Sequence, residues 1–139
     1  MTHGYEIRGH AILGGQILVL AKEGKRDFLE KLEMSPKSSE RYELICGAYE
    51  KITQRGVSRC VGRQNFVRVL EGSLGLVEVK VGNTRIRVMS YLHDSGEDKE
   101  LILMFDFTGH QGSNRIEDSD MKKGRKLAKI AKECMEEEK

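Results

Sequence analysis

The chain predicts an α+β fold, an antiparallel twisted sheet with helices packed on one face, and three observations carry that reading. Residues 76–91 alternate apolar and charged side chains on either side of Gly82-Asn83, the period-2 pattern of a hairpin. Residues 101–107 are apolar at nearly every position, as a central strand buried on both faces would be. Residues 38–55 and 117–135 place apolar side chains in stripes at helical spacing. An order of strands, two helices, a meander and a last helix suits one sheet with helices against it.

The elements follow in order. Residues 5–13 and 16–22 flank Gly14-Gly15 and read as an opening hairpin, with 16–21 the buried strand. In 25–33, Phe28, Leu29 and Leu32 form one helical stripe, and Ser35-Pro36 ends it because proline fits a helix start and not its interior. The next helix runs over about 38–55, with Ser39 as N-cap, Tyr42, Ile45, Tyr49 and Ile52 on one face, and Gly56 where a C-cap glycine belongs. Residues 57–75 resist assignment: Phe66, Val67, Val69 and Leu70 suggest a short strand, Gly72 and Gly75 a bend.

In the central hairpin a two-residue loop at Gly82-Asn83 suits a type II′ turn. It sets Lys80 opposite Arg85, Glu78 opposite Arg87 and Val77 opposite Val88. Val77, Val79, Val81, Ile86 and Val88 then cover a core, and Glu78, Lys80, Arg85 and Arg87 share the other face with Asp106. Opposed cations are unfavourable unless they splay into water or hold an anion. Residues 93–98 read as a polar loop and 108–114 as a glycine-containing one. The last helix opens on Glu117, Asp118 and Asp120, which suit its positive end, and buries Leu127, Ile130, Ala131 and Cys134.

Length and composition bound the function. A chain of 139 residues accommodates one domain, 1–139, with a proper core. Twenty-four Lys and Arg against 22 Asp and Glu leave a net charge of +2, but the cations concentrate in 68–93 and 122–132, where a polyanion would find them. Cys46, Cys60 and Cys134 are odd in number and without C-x-x-C spacing, so neither a disulfide framework nor a zinc site is expected, and a reducing cytoplasm is. The apolar runs at 17–21 and 101–105 are far below membrane-spanning length, and the start lacks the pattern of a secretory signal.

Three stretches then resemble one family. Gly24, Phe28, Leu29 and Leu32 are similar to the G-x-x-x-F-L-x-x-L opening of RelE/HigB-type toxins of bacterial and phage toxin–antitoxin systems. Leu70, Gly72, Leu76, Glu78 and Lys80 resemble their L-x-G-x-x-x-L-[YW]-E-[IL]-R segment, with Ile86, Arg87 and Val88 where their [YF]-R-[VL] strand stands. Residues 101–107 occupy the place of their last strand, so the likeness is strongest over 16–133. Two features depart from the pattern. The family's F-x-K-K is Phe107-Thr108-Gly109-His110 here, and Val77 replaces the aromatic before the glutamate.

The resemblance implies a RelE/ParE-toxin-like fold and the toxin of a type II toxin–antitoxin system. Its activity would be that of an mRNA endoribonuclease, ribosome-dependent or free, using the RNA 2′-hydroxyl without metal or cofactor. The implied partners are mRNA, the ribosome and a cognate antitoxin, with no membrane. Such chemistry needs a base, cations for the phosphorane and an acid for the leaving oxygen. Matched residue by residue, Lys80 and Arg87 supply cations, Arg87 the better because a guanidinium fork suits phosphate oxygens. His110 stands in for the missing lysines as acid or base, and Arg115 lies in the same loop. Arg85, Arg115, Lys122 and Lys126 would follow the RNA backbone. The alternative on the same scaffold is a catalytically degenerate module that binds RNA, ribosome or protein, with Arg87 paired to Glu78 and the lysines a solvated helix face.

Overall fold

The computed structural model of the chain describes residues 3–10, 13–63, 66–96, 98–110 and 113–137. Its strands are β1 (Tyr5–Arg8), β2 (Ile17–Lys22), β3 (Val67–Glu71), β4 (Leu76–Lys80), β5 (Ile86–Asp94) and β6 (Lys99–Thr108). Its helices are α1 (Phe28–Met34), α2 (Ser39–Arg55), the single turn α3 (Val57–Cys60) and α4 (Asp118–Glu137). They form one six-stranded sheet in the order β1-β2-β6-β5-β4-β3. Only β2 and β6 run parallel; every other neighbouring pair is antiparallel. The α+β class and the mostly antiparallel sheet are therefore as expected. No helix among the described residues is long and apolar enough to cross a membrane.

The local signals were well placed. β1 pairs with β2 as expected, though the residues between them include 11–12, which lie outside the described set. α1 starts at a capping box: Glu30 N–H donates to the Asp27 carboxylate at 2.8 Å and Asp27 N–H to Glu30 Oε1 at 3.2 Å. Gly56 closes α2 at φ +92°, its N–H reaching Ile52 O at 2.8 Å. Ser39 is inside α2 rather than its cap; Pro36–Ser38 form a preceding 3₁₀ turn, which moves the boundary residue to Ser38. The polar loop expected at 93–98 is shorter, because β5 continues through Asp94 with His93 buried.

Helices on one face only is the expectation the structure overturns. α1, α2 and α3 cover one face, packing Leu29, Ile45, Tyr49, Ile52 and Val57 against Val19, Val79, Val88 and Leu103. α4 covers the other, packing Leu127, Ile130 and Ala131 against Met89, Ile102 and Phe105. The reason is visible in the strand parity. Leu76 shares the face of Glu78 and Lys80, and Met89 and Tyr91 share that of Arg87. That face is thus charged only near the 82–85 loop and apolar beyond it, and the apolar part needs a helix of its own.

Two register details place the charges. The β4–β5 pairs are Lys80↔Arg87, Val79↔Val88, Glu78↔Met89, Val77↔Ser90 and Leu76↔Tyr91. The connection is a four-residue loop, 82–85, with Gly82 at φ +56° and Val81 N–H on Ile86 O at 3.2 Å. The whole ladder has slid by two residues from the expected one, which changes every partner but leaves each side chain on its face. In β6 a bulge opposite Met89 and Ser90 inserts Met104 between Leu103 and Phe105. It reverses the alternation, so Leu103 faces α2 while Phe105 and Phe107 face α4. Asp106, expected beside the hairpin cations, consequently faces α2 and pairs with Arg41 at 2.6 Å.

Candidate functional site

The cations of the central hairpin gather at the corner of the sheet where the 82–85 loop meets Gly109 and Asn114. Lys80 and Arg87 are directly opposed across β4 and β5. Arg85, at the end of the loop, exchanges hydrogen bonds with Gly109: its Nε donates to Gly109 O at 3.1 Å, and Gly109 N–H donates to Arg85 O at 2.7 Å. Lys80 Nζ donates to Asn114 Oδ1 at 2.5 Å. Gly109 and Asn114, on either side of residues 111–112, are thereby tied to the charged corner.

Each side chain has a definite employment. Arg87 is 8% exposed, and its Nη1 donates to the carbonyls of Thr84 at 2.7 Å and Ile86 at 2.9 Å. The guanidinium thus braces its own loop as well as carrying charge. Glu78, expected to pair with Arg87, instead accepts from Arg68 Nε at 3.1 Å, both side chains being well covered. Arg68, on β3, also donates to Asn114 O at 2.7 Å and was not singled out by sequence reasoning. Its signal was present in principle, because it alternates with Val67 and Val69 and so shares the face of Glu78. Burial holds the Lys80 ammonium below its ordinary range; Glu78 opposes that shift, and Arg68 and Arg87 reinforce it.

His110 meets Glu117 at 2.6 Å through Nε2, both side chains half exposed. A carboxylate on one ring nitrogen orients the imidazole and leaves Nδ1 as the atom that can exchange a proton with a bound molecule. Gly109 lies against Arg87: a Cβ at that position would stand 3.0 Å from Arg87 Cγ. A side chain at this position would require Arg87 to give way by a few tenths of an ångström. Arg115 is exposed in the same segment.

The remaining predicted residues lie elsewhere. Lys122 and Lys126 are exposed on α4 and line a separate groove of about 720 Å³ with Tyr5, Lys22 and Lys129. That groove is not continuous with the corner through any shared lining residue. The structure thus brings together Lys80, Arg85 and Arg87, sets Gly109, the neighbour of His110, against Arg85 and Arg87, and keeps the α4 lysines apart. Among the described residues no group of three His, Cys, Asp or Glu side chains is placed to hold a metal ion. The corner can therefore offer an anion fixed positive charge and one oriented imidazole–carboxylate pair. No protein-family model matches the chain, and neither does any curated protein or solved structure.

Proposed function

We propose that the chain is a toxin of RelE/HigB type that cuts mRNA, free or on the ribosome, in the cytoplasm, and is held inactive by a cognate antitoxin. The observation that carries this reading is that Lys80 and Arg87 are paired across β4 and β5, that Arg85 and Arg87 lie against Gly109, and that the next residue, His110, is held by Glu117. In this reaction the RNA 2′-hydroxyl attacks the adjacent phosphorus and gives up its proton, and the 5′-oxygen leaves as it gains one. Arg85 and Lys80 hold the phosphorane oxygens, Arg87 positions the loop that carries Arg85, and His110 moves the proton, Glu117 steadying its ring. No step calls on a metal.

The test is cleavage of single-stranded RNA in the presence of EDTA, run beside growth after induction. The wild-type chain is expected to leave 2′,3′-cyclic phosphate ends and to arrest growth. His110→Ala, with an unchanged circular dichroism spectrum, is expected to cut at least about 100-fold more slowly. Equal cleavage by wild type and variant would remove His110 from the mechanism, and no cleavage by either would remove the reaction.

A second reading, an RNA-binding module that does not cut, is favoured by one specific observation. Arg87 is buried on its own loop carbonyls and Lys80 is capped by Asn114, so both cations already have partners. It predicts RNA binding that weakens with salt, without product formation.

A further inference from the structure

On the opposite side of the 82–85 loop, α2, Arg63 and Phe66 border an open cleft of about 650 Å³, within the roughly 300–1,000 Å³ range of small-molecule sites. Lys51 and Arg55 of α2 and Arg63 bring positive charge to it, against one carboxylate, Glu43. Among the described residues no acidic side chain forms an ion pair with Lys51, Arg55 or Arg63. Arg63 is oriented by its own Nε, which donates to Arg59 O at 3.0 Å. The apolar part of the wall is Phe66 with Leu44, which is 39% exposed. Gly47 lies on the same helix surface, where a Cβ would meet nothing within 4 Å. A glycine in the middle of a helix costs stability, and here it keeps the wall low.

We propose that this cleft binds a phosphorylated ligand with a flat ring, of the nucleoside 5′-monophosphate class. The ring lies against Phe66 and Leu44, and the phosphate takes charge-assisted hydrogen bonds from Lys51, Arg55 and Arg63. Cations that form no ion pair with an acidic side chain among the described residues, an apolar wall and a volume fit for one small molecule together select an anion with an aromatic body over a bare ion. The site goes beyond the RNA-cutting reading and does not depend on it, because it lies on the α2 side of the sheet and is tested by equilibrium binding.

The full chain is titrated calorimetrically with the four nucleoside 5′-monophosphates, with inorganic phosphate and with the unphosphorylated nucleosides, at low and moderate salt. At least one monophosphate is expected to bind at least about tenfold more tightly than both its nucleoside and inorganic phosphate, and more weakly as salt rises. Lys51→Ala/Arg55→Ala is expected to weaken that binding by at least about tenfold. Gly47→Leu, which fills the cleft from a position where the backbone tolerates a side chain, is expected to abolish it without lowering the melting temperature. The proposal is overturned if no monophosphate binds, if inorganic phosphate binds as well as the nucleotides, or if Gly47→Leu folds normally and binds as the wild type does.

Discussion

Glu78 is 2% exposed and meets Arg68, itself largely covered, at 3.1 Å. Two charges so placed are held by each other and by Asn114 O, and removing one leaves the other buried without a counter-charge. Glu78→Ala is expected to cost about 3 kcal/mol in urea unfolding, well above the Arg41–Asp106 pair, whose members are more exposed. A loss below 1 kcal/mol would mean that Arg68 escapes to solvent when its partner goes.

The buried phenols give a pH signature at the same scale. Burial pushes the Tyr91 phenol up to about 12, with Glu136 adding to the shift. Burial likewise raises Tyr49, whose Oη shares a hydrogen bond with Ser90 Oγ at 3.2 Å. The Cys46 and Cys60 thiols are raised by burial too. In each case the unfolded chain gives up its proton at a lower pH than the folded one, so the stabilisation is complete below the unfolded value and fades as pH climbs through the window above it. Lys80, depressed by burial, has the opposite sign and recovers stability as pH approaches 10.5. With several groups against one, the urea midpoint is expected to fall between pH 9 and pH 11.5. Absorbance at 295 nm should show Tyr91 still largely protonated across that range while the chain stays folded, and a flat midpoint would contradict the assignment.

At the scale of elements, two helical glycines should respond in opposite directions. Gly47 of α2 faces open space, so Gly47→Ala removes the helix penalty and is expected to stabilise by about 1 kcal/mol, raising the melting temperature by roughly 3–5 °C. Gly124 of α4 lies over Met89, where a Cβ would stand 3.1 Å from Met89 Sδ. Gly124→Leu therefore forces α4 away from the sheet and is expected to cost about 1–3 kcal/mol despite its better helix propensity. A shared sign in calorimetry would refute the packing argument for one of them. Gly124 was also where periodicity was least informative, since a glycine adds nothing to an apolar stripe yet decides how closely the helix approaches.

The elements themselves were largely legible: β2, α2, the Gly56 cap, β4, β5 and the inner stripe of α4 follow from period and capping alone. The hairpin register was not, because loops of two and of four residues satisfy the same alternation and differ only in the turn they make. The Met104 bulge was equally hidden: residues 101–107 are apolar on either parity, so nothing in the pattern marks where the alternation reverses. That reversal carried Asp106 away from the candidate site to Arg41. Of the site, Lys80 and Arg87 were placed correctly on one face, while the Arg85–Gly109 and His110–Glu117 contacts required the fold.

For the whole molecule, the consequence of a sheet covered on both faces is that neither layer of helices is dispensable. Ending the chain after Glu117 would uncover Met89, Ile102, Phe105 and the rest of the second core at once. Such a protein is expected to lose its cooperative calorimetric transition and to bind the dye ANS strongly, as a collapsed chain with exposed apolar surface does. A truncated chain that melts cooperatively without dye binding would show that the α1–α3 layer suffices.

By itself the sequence determined most of the strands and helices outside 57–75, where α2 stops, and that Lys80 and Arg87 share a face. Those properties follow from nearest-neighbour periodicity and backbone preference, which act within a few residues. Only the tertiary structure decided that α4 takes the second face, that Arg68 rather than Arg87 holds Glu78, and that Gly109 and Asn114 meet the cationic corner. Those outcomes depend on which apolar surfaces must be removed from water together, a balance struck between segments far apart in the chain.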